Sequence, residues 1–595
     1  MTGTGPAGAD QPQARGATPL ANVCNAGTLQ GIASRLPVKV TVGKVAEQPA
    51  FADGTRYFPA SASMPAFCQV TGSYVTNPAT GKTANFLATL PENWNGKYLQ
   101  LGCSGHCGGF AVSDAATPLI VVTNQGTPGE IMRKGYASFA TDEGHTNLSA
   151  GAWAIKGPGL VDDDAITDYL YRSHKVLARM GKDFTRAFYA RAKGRPEAIS
   201  RSYFGGCSGG GRDALVAASY FPEEFDGIIA GSPYNLAGRA FHSAATAIAT
   251  VRAPDGRISP GQLALVNKIV DAQCDGLDGV KDGLIQNPMA CNFRPERDLP
   301  KCSAGASGDQ CFTPAQIETL AVVLSAVTDD AGTVVQPGYS VSNLLTSFEP
   351  EATPKDPSAA NPWPDTPTGG GFLWVHGDAA IRVFAHRNDP AFATRSILTY
   401  RTGGPGPITG FHAVVPRAEA KRVFAADRLG IGHFPENYDR LIGQRRKLLI
   451  WHNLSDDKLT PYMSINLYKQ LAARHGGYAR LQNSVRLFGL PGTAHCSGGG
   501  LPVGPGSFDA LGAMENWVEK GVAPDALLAT LYEPTSFSVD FAKPLGRTMP
   551  LCKFPEMARY KGTGSVMDAA NWTCPAGDRS MLTLGESGRR AGVLE

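Results

Sequence analysis

The sequence predicts an α/β fold: a mostly parallel sheet flanked by helices, interrupted by a large inserted domain. Between Ile199 and Ala230, and again between Lys447 and Phe488, short buried-strand runs alternate with stretches of helical periodicity. That alternation is the rhythm of a parallel sheet with crossover helices. Between about Asn235 and Gly432 the rhythm is lost. At 595 residues the chain is also long for one compact core.

Residues 1–20 read as a flexible tail, mostly Gly, Ala, Pro, Thr and Gln without an apolar h-region; the expectation is that any signal peptide is already missing. Residues 21–234 form the first part of the core. Lys39–Val42, Lys97–Leu101 and Leu119–Val122 read as strands separated by Gly, Pro and Asn. From Asp163 to Ala192, Ile166, Tyr169, Leu170, His174, Leu177 and Met180 recur at helical spacing, and Phe184 and Phe188 extend the stripe. A strand (Ile199–Phe204), a glycine turn, a helix (about Gly211–Tyr220) and a strand (Phe225–Ala230) follow. Residues 235–432, with Gly- and Pro-rich segments at Pro354–Gly371 and Gly403–Pro407, are the insertion. Residues 433–595 return to the core through a strand (Lys447–Trp451), a helix (Pro461–Arg474) and a strand (Ser484–Phe488).

Composition narrows the function. There are 55 Lys and Arg against 52 Asp and Glu, a net charge of +3, with no dense basic run, which argues against an electrostatic nucleic-acid binder. No run approaches the ~18 apolar residues of a membrane span. Twelve cysteines are many for a cytosolic enzyme. Eight fall into local pairs: Cys103/Cys107, Cys274/Cys291, Cys302/Cys311 and Cys552/Cys574. Cys24, Cys68, Cys207 and Cys496 remain. The even count without a paired C-x-x-C motif favours disulfides over zinc, and hence a periplasmic or secreted protein, with unpaired buried thiols as the alternative.

Gly206-Cys207-Ser208-Gly209-Gly210 fits G-x-S-x-G between a predicted strand and a predicted helix, the setting of a nucleophile elbow in an α/β-hydrolase. Such a turn exposes the serine hydroxyl and aims helix N–H groups at a developing oxyanion. His495 lies in a glycine-bounded loop after a strand and is the candidate base. Asp456, after the strand Lys447–Trp451, is the candidate acid, with Asp457 its competitor. Ser208, Asp456, His495 is the chain order of that fold. Cys207 precedes the serine and Cys496 follows the histidine. Were they bonded, Ser208 and His495 would lie within about 14 Å, Cα to Cα. The loop Leu101–Gly109, with four glycines and two cysteines, is the candidate source of a second oxyanion donor; a plain glycine-rich turn is the alternative.

The insertion carries Cys274-Asp275-Gly-Leu-Asp278-Gly-Val280-Lys-Asp282-Gly-Leu284. Three carboxylates interleaved with glycine suit a hard cation that takes oxygen ligands, and the Val280 and Leu284 carbonyls could complete the shell. Its distance in sequence from the triad points to a structural calcium (Ca2+) rather than a catalytic metal; a solvated acidic turn is the alternative.

On these residues the chain resembles the tannase and feruloyl esterase family of α/β-hydrolases. The matching motifs are Gly206–Arg212, Phe221–Pro233, Thr141-Asp-Glu-Gly-His145, Cys274–Gly283 and the run from His495-Cys496. The resemblance implies a serine esterase with a lid domain inserted into the core. It implies Ser208, Asp456 and His495 as the triad, oxyanion N–H groups at Gly105 and Gly209, and calcium on Asp275, Asp278, Val280, Asp282 and Leu284. It further implies disulfides Cys24–Cys68, Cys207–Cys496, Cys274–Cys291, Cys302–Cys311 and Cys552–Cys574, with Cys103–Cys107 beyond the pairs expected throughout the family. The implied substrates are small esters of aromatic acids, galloyl or hydroxycinnamoyl, some carried on plant polysaccharide or polyphenol. Terephthalate monoesters rank lower, because a lid arginine that would grip the free carboxylate is not in register; Arg382 is near but displaced. A catalytically silent, calcium-stabilised binding protein and a serine peptidase are the rival readings.

Overall fold

The computed structural model describes residues 18–45, 54–62, 64–103, 105–110, 128–147, 150–252, 256–342, 372–427, 434–497, 504–534 and 539–595. The strand expected at Leu119–Val122 and the segment Pro354–Gly371 lie outside them.

A ten-stranded sheet organises the chain. Its strands are β1 (Val40–Val42), β2 (Arg56–Phe58), β3 (Phe67–Asn77), β4 (Lys82–Pro91), β5 (Lys97–Leu101), β6 (Ala137–Thr141), β9 (Arg201–Cys207), β10 (Gly227–Gly231), β15 (Lys447–Asn453) and β16 (Val485–Leu490). Between β6 and β9 the chain forms a small hairpin, β7 (Ile155–Gly157) and β8 (Leu160–Val161). The order is β1-β3-β4-β6-β5-β9-β10-β15-β16, with β2 paired to β3. From β6 to β16 every neighbouring pair is parallel; β1 to β4 add an antiparallel end. The long hairpin β3–β4 is absent from the sequence reading, which saw only short β-like runs there. Cys24–Cys68 ties the turn between the helices Leu20–Val23 and Ala26–Ala33 to β3.

The central strands are apolar on both faces because helices cover both. The helices Ser173–Lys193, Gly209–Tyr220 and Pro461–Arg474 bury Leu177, Phe184, Leu215 and Tyr468 in one layer. On the other face, Met514 and Trp517 of the helix Ala510–Lys520 pack on Leu99, Ile229 and Leu449. Each such side chain contributes roughly 1.5–3 kcal/mol on burial.

The helical stripe from Asp163 is real but interrupted: Asp168–Arg172 forms a π-turn before the helix Ser173–Lys193. The π-turn frees the Tyr169 and Leu170 carbonyls, and the buried Arg212 guanidinium donates to both, at 3.2 and 3.0 Å.

β10 and β15 are neighbours in the sheet, and the chain between them builds its own layer. The helix Leu236–Arg252 is buried along nearly its whole length, against Trp374, Ile381 and Phe384 and against Tyr169 and Leu170 of the core. Beside it lies a four-stranded sheet of β11 (Val327–Asp329), β12 (Val334–Gln336), β13 (Thr399–Thr402) and β14 (Phe411–Val415). A hairpin, β17 (Ala526–Pro534) and β18 (Val539–Cys552), follows the last sheet strand. Near the C-terminus Val593 reaches the main core and Arg590 pairs with Glu296 at 2.7 Å.

Candidate active site

β9 ends at Cys207 and the helix Gly209–Tyr220 begins immediately after Ser208, two residues earlier than the sequence reading. Ser208 sits at φ 64°, ψ −122°, a conformation that non-glycine residues rarely adopt. Its N–H donates to the Gly231 carbonyl at 3.0 Å, and its carbonyl accepts from Arg212 N and Tyr234 N. The turn is thereby over-determined, which is how strain persists at a functional residue.

The glycines after it permit close approach. A Cβ on Gly210 would lie 2.8 Å from the Gly102 backbone, and one on Gly209 would lie 2.5 Å from the Gly105 carbonyl oxygen. The loop leaving β5 therefore lies directly against the start of the helix Gly209–Tyr220. That loop is closed by the Cys103–Cys107 disulfide, and Gly105 takes φ 64° within it.

Asp456 follows β15 and His495 follows β16, on adjacent strand ends. His495 Nδ1 lies 2.8 Å from Asp456 Oδ2. The other carboxylate oxygen accepts from Lys458 N and Leu459 N at 2.9 and 2.8 Å. Burial alone would raise this carboxyl; the His495 charge and the hydrogen bonds from His452 and His495 outweigh it and hold it well below the carboxylate range. Asp457 does different work: its Oδ1 accepts from the backbone N–H of His495 at 3.2 Å, and it pairs with Lys458 at 3.1 Å. The Cys207–Cys496 disulfide holds its two Cα atoms 6.0 Å apart, joining the serine and histidine segments. The five disulfides that the resemblance implied are formed, as is Cys103–Cys107 beyond them, and no described cysteine is free.

Ser208, His495 and Gly105 open onto one cleft of about 250 Å3, whose wall also includes His106, Tyr234, Arg239, His376, Lys458 and Leu459. The His106 ring is buried, hydrogen-bonded to Tyr234 at 3.0 Å and edge-on to His376. Burial first, then the neighbouring His376 and arginine charges, keep His106 well below its ordinary pKa and hence neutral. None of these wall residues was singled out from the sequence, although His106 lies inside the glycine-rich loop that was. Arg382 is held by Asp378 and Asn388 and takes no part in the cleft wall.

Behind the elbow lies a second polar group that sequence reasoning missed. His174 Nε2 is 3.0 Å from Glu143 and 3.3 Å from Asp213, all three buried. Their ligand-type atoms lie within 4.8 Å of one another, close enough to hold a metal ion. Burial, then the Asp213 charge, raises Glu143 to about 8; the Asp213 and Glu143 charges outweigh burial and raise His174 to about 9.

In the acidic loop, Asp275 accepts from Leu284 N at 3.0 Å and Asp278 from Val280 N at 3.0 Å. The Asp282 carboxylate pairs with the buried Arg547. Burial, followed by neighbouring carboxylates, raises Asp278; burial and Asp275 also raise Asp282, against Arg547.

The family model for tannase and feruloyl esterase matches residues 68–371 and 440–575. The chain belongs to the tannase and feruloyl esterase family. It is 31% identical to an uncharacterized esterase of Xanthomonas campestris pv. campestris, over 86% of this chain and 85% of that protein. Similarity to the mono(2-hydroxyethyl) terephthalate hydrolase of Piscinibacter sakaiensis is 28%, over 89% and 88%, and to a probable feruloyl esterase of Arthroderma benhamiae 29%, over 82% and 81%. Among solved structures, feruloyl esterase B from Aspergillus oryzae superposes with a TM-score of 0.67 at 23% identity, covering 92% of this chain and all of that one. The fold is thus an α/β-hydrolase, and the family makes the chain a carboxylic ester hydrolase.

Proposed function

We propose that the protein is a secreted serine esterase that hydrolyses esters of aromatic acids, feruloyl and other hydroxycinnamoyl or galloyl, through an acyl-enzyme on Ser208. The observation that carries this reading is the strained Ser208 at the helix start, sharing one cleft with a His495 whose Nδ1 is fixed on Asp456. His495 takes the serine proton as Ser208 attacks the acyl carbon, and Asp456 orients the ring and stabilises the imidazolium. The N–H groups of Gly105 and Gly209 hold the tetrahedral oxyanion. His495 then protonates the leaving alcohol, and water releases the acid by the same steps reversed in role.

The rings of His106, Tyr234 and His376 in the cleft wall favour an aromatic acyl group. A terephthalate-type monoester is the second reading, supported by the two cations Arg239 and Lys458 in the same wall. Residues 235–432 are the lid over this cleft, supplying Arg239 and His376 to it. Six disulfides favour secretion. Asp275, Asp278 and Asp282, with the Val280 and Leu284 carbonyls, would hold calcium; Asp278 and Asp282, raised by burial first and then by neighbouring carboxylates, are the donor chemistry a hard cation relieves. The ion would stiffen the loop and takes no part in the reaction. Metal analysis of the Asp278→Ala protein tests it, and unchanged calcium content would remove the site.

The deciding experiment is chromatographic measurement of acid released from methyl ferulate, methyl gallate and mono(2-hydroxyethyl) terephthalate, with Ser208→Ala as blank. Turnover that survives in Ser208→Ala would sink the mechanism. Absence of fluorophosphonate labelling at Ser208 in the wild type would favour a silent binding protein, and release of acid from the matching amide would favour a peptidase.

A further inference from the structure

Among its described residues, the loop that supplies Gly105 has no helix or strand of its own, yet oxyanion stabilisation depends on donors held within a few tenths of an ångström. Beside the bond between the His106 ring and Tyr234, three backbone N–H groups anchor it. Gly102 N donates to Gly205 O at 3.0 Å, Gly108 N donates to Asp142 O at 3.2 Å, and Cys103 N donates to the Asp213 carboxylate at 3.2 Å. The first two run between backbone groups. The third reaches a side chain on the nucleophile helix itself, one turn after Ser208, so it ties both oxyanion donors to a common frame.

Asp213 is in turn fixed from behind. The same Oδ2 that receives Cys103 N lies 3.3 Å from His174 Nε2, and its Oδ1 receives Arg212 at 3.3 Å. His174 also meets Glu143, and Gln100 of β5 faces its Nδ1 at 3.1 Å while donating to its carbonyl at 3.0 Å. Glu143 adopts φ 64° although it is not glycine, and it is only 1% exposed. Strain of that kind persists where the surroundings impose it, and here it turns the carboxyl inward. Neither Glu143 nor His174 nor Asp213 forms part of the cleft wall.

We infer that Asp213, held by His174 and Glu143, is a positioning residue that fixes the Cys103–Cys107 loop against the nucleophile helix and thereby sets the Gly105 N–H for the oxyanion. The inference rests on the Ser208 reading. Losing the acceptor of Cys103 N frees the loop on the side facing Ser208, while the triad and the substrate-facing wall keep their contacts.

The test measures ester turnover together with two affinities: benzeneboronic acid, which forms a tetrahedral adduct on an active serine, and the product acid, which does not. Asp213→Ala is expected to lower kcat roughly tenfold to a hundredfold, below the full loss of an oxyanion donor, with KM nearly unchanged. Boronate affinity should fall by a similar factor and product-acid affinity should hold. Should Asp213→Ala fail to fold, Glu143→Ala provides the second route: it should show a smaller loss of the same kind, and Glu143→Gln should recover most of it, since the amide keeps the shape of the carboxyl and an oxygen facing His174 Nε2.

Equal loss of boronate and product-acid affinity would mean general disorder of the site and overturn the inference, as would wild-type kcat in Asp213→Ala. A stoichiometric metal ion present in the wild type and lost in Glu143→Gln would overturn it in favour of a metal centre. If the wild type itself neither binds boronate nor depends on Ser208, it is the Ser208 reading that fails.

Discussion

Replacing Cys207 and Cys496 together by serine tests the clamp on the active site. The disulfide closes a loop with a sequence separation of 289 residues. The chain-entropy expression for a loop of that length gives about 5–6 kcal/mol at 25 °C. With an unfolding entropy of roughly 1.2 kcal/mol/K for a chain of this size, the midpoint should fall by about 4–5 °C. Activity should fall too, for a separate reason. His495 keeps its 2.8 Å hydrogen bond to Asp456 and its backbone bond to Asp457, so it stays with the β15 and β16 ends. What it loses is the covalent tie to the serine strand, β9. A displacement of about 1 Å at a reacting group costs on the order of a hundredfold, so turnover should drop by roughly tenfold to a hundredfold without vanishing. Differential scanning calorimetry through the transition and methyl ferulate hydrolysis well below it report the two effects. Ser208→Ala, which leaves the disulfide intact, should keep the wild-type midpoint. A double variant with wild-type midpoint and wild-type turnover would refute the idea that this bridge aligns the two segments.

Three further outcomes follow from the same geometry. Asp456→Asn should lower kcat by up to about 10⁴-fold, because the amide stabilises the wrong imidazole tautomer; Asp457→Asn should cost much less, and equal losses would undo the assignment of Asp456 as the acid. Gly209→Ala should cut kcat more than tenfold, since its Cβ would sit 2.5 Å from the Gly105 carbonyl oxygen and push apart the two oxyanion donors; unchanged kcat would remove these donors from the mechanism. The buried Asp142 carboxyl is raised to about 7, by burial acting against hydrogen bonds from Gly144 and Asn85. A carboxyl raised on folding stabilises the fold below its unfolded pKa of about 3.9 and loses that contribution as pH rises through its folded value. The midpoint should therefore fall between about pH 4 and 7, and Asp142→Asn should flatten that slope, whereas Asp456, depressed on folding, keeps its contribution until the pH falls below the carboxylate range.

The sequence alone determined the parts of this protein that rest on local chemistry. The serine turn was legible because only glycines fit beside so tight an elbow, and the order serine, aspartate, histidine because each residue had to follow a strand. The pairing Cys207–Cys496 was legible as a condition, since each cysteine adjoined a proposed catalytic residue. Strands β5 and β15 and the helix Pro461–Arg474 were read from short apolar runs and helical spacing in the sequence. The β3–β4 hairpin was not, because burial alternates only near its turn, over Gly72–Asn77 and Thr83–Phe86, while the rest of both strands is buried on both faces, which removes the period-two pattern there. Tertiary structure alone decided which aspartate meets His495. Asp456 and Asp457 are adjacent and chemically identical, and the choice depends on the turn after β15 directing one carboxylate to the ring and the other to the backbone. It also decided what stands behind Ser208. Glu143, His174 and Asp213 come from a strand end and two different helices, and no spacing in the chain announces a contact that exists only because three elements pack on one buried point.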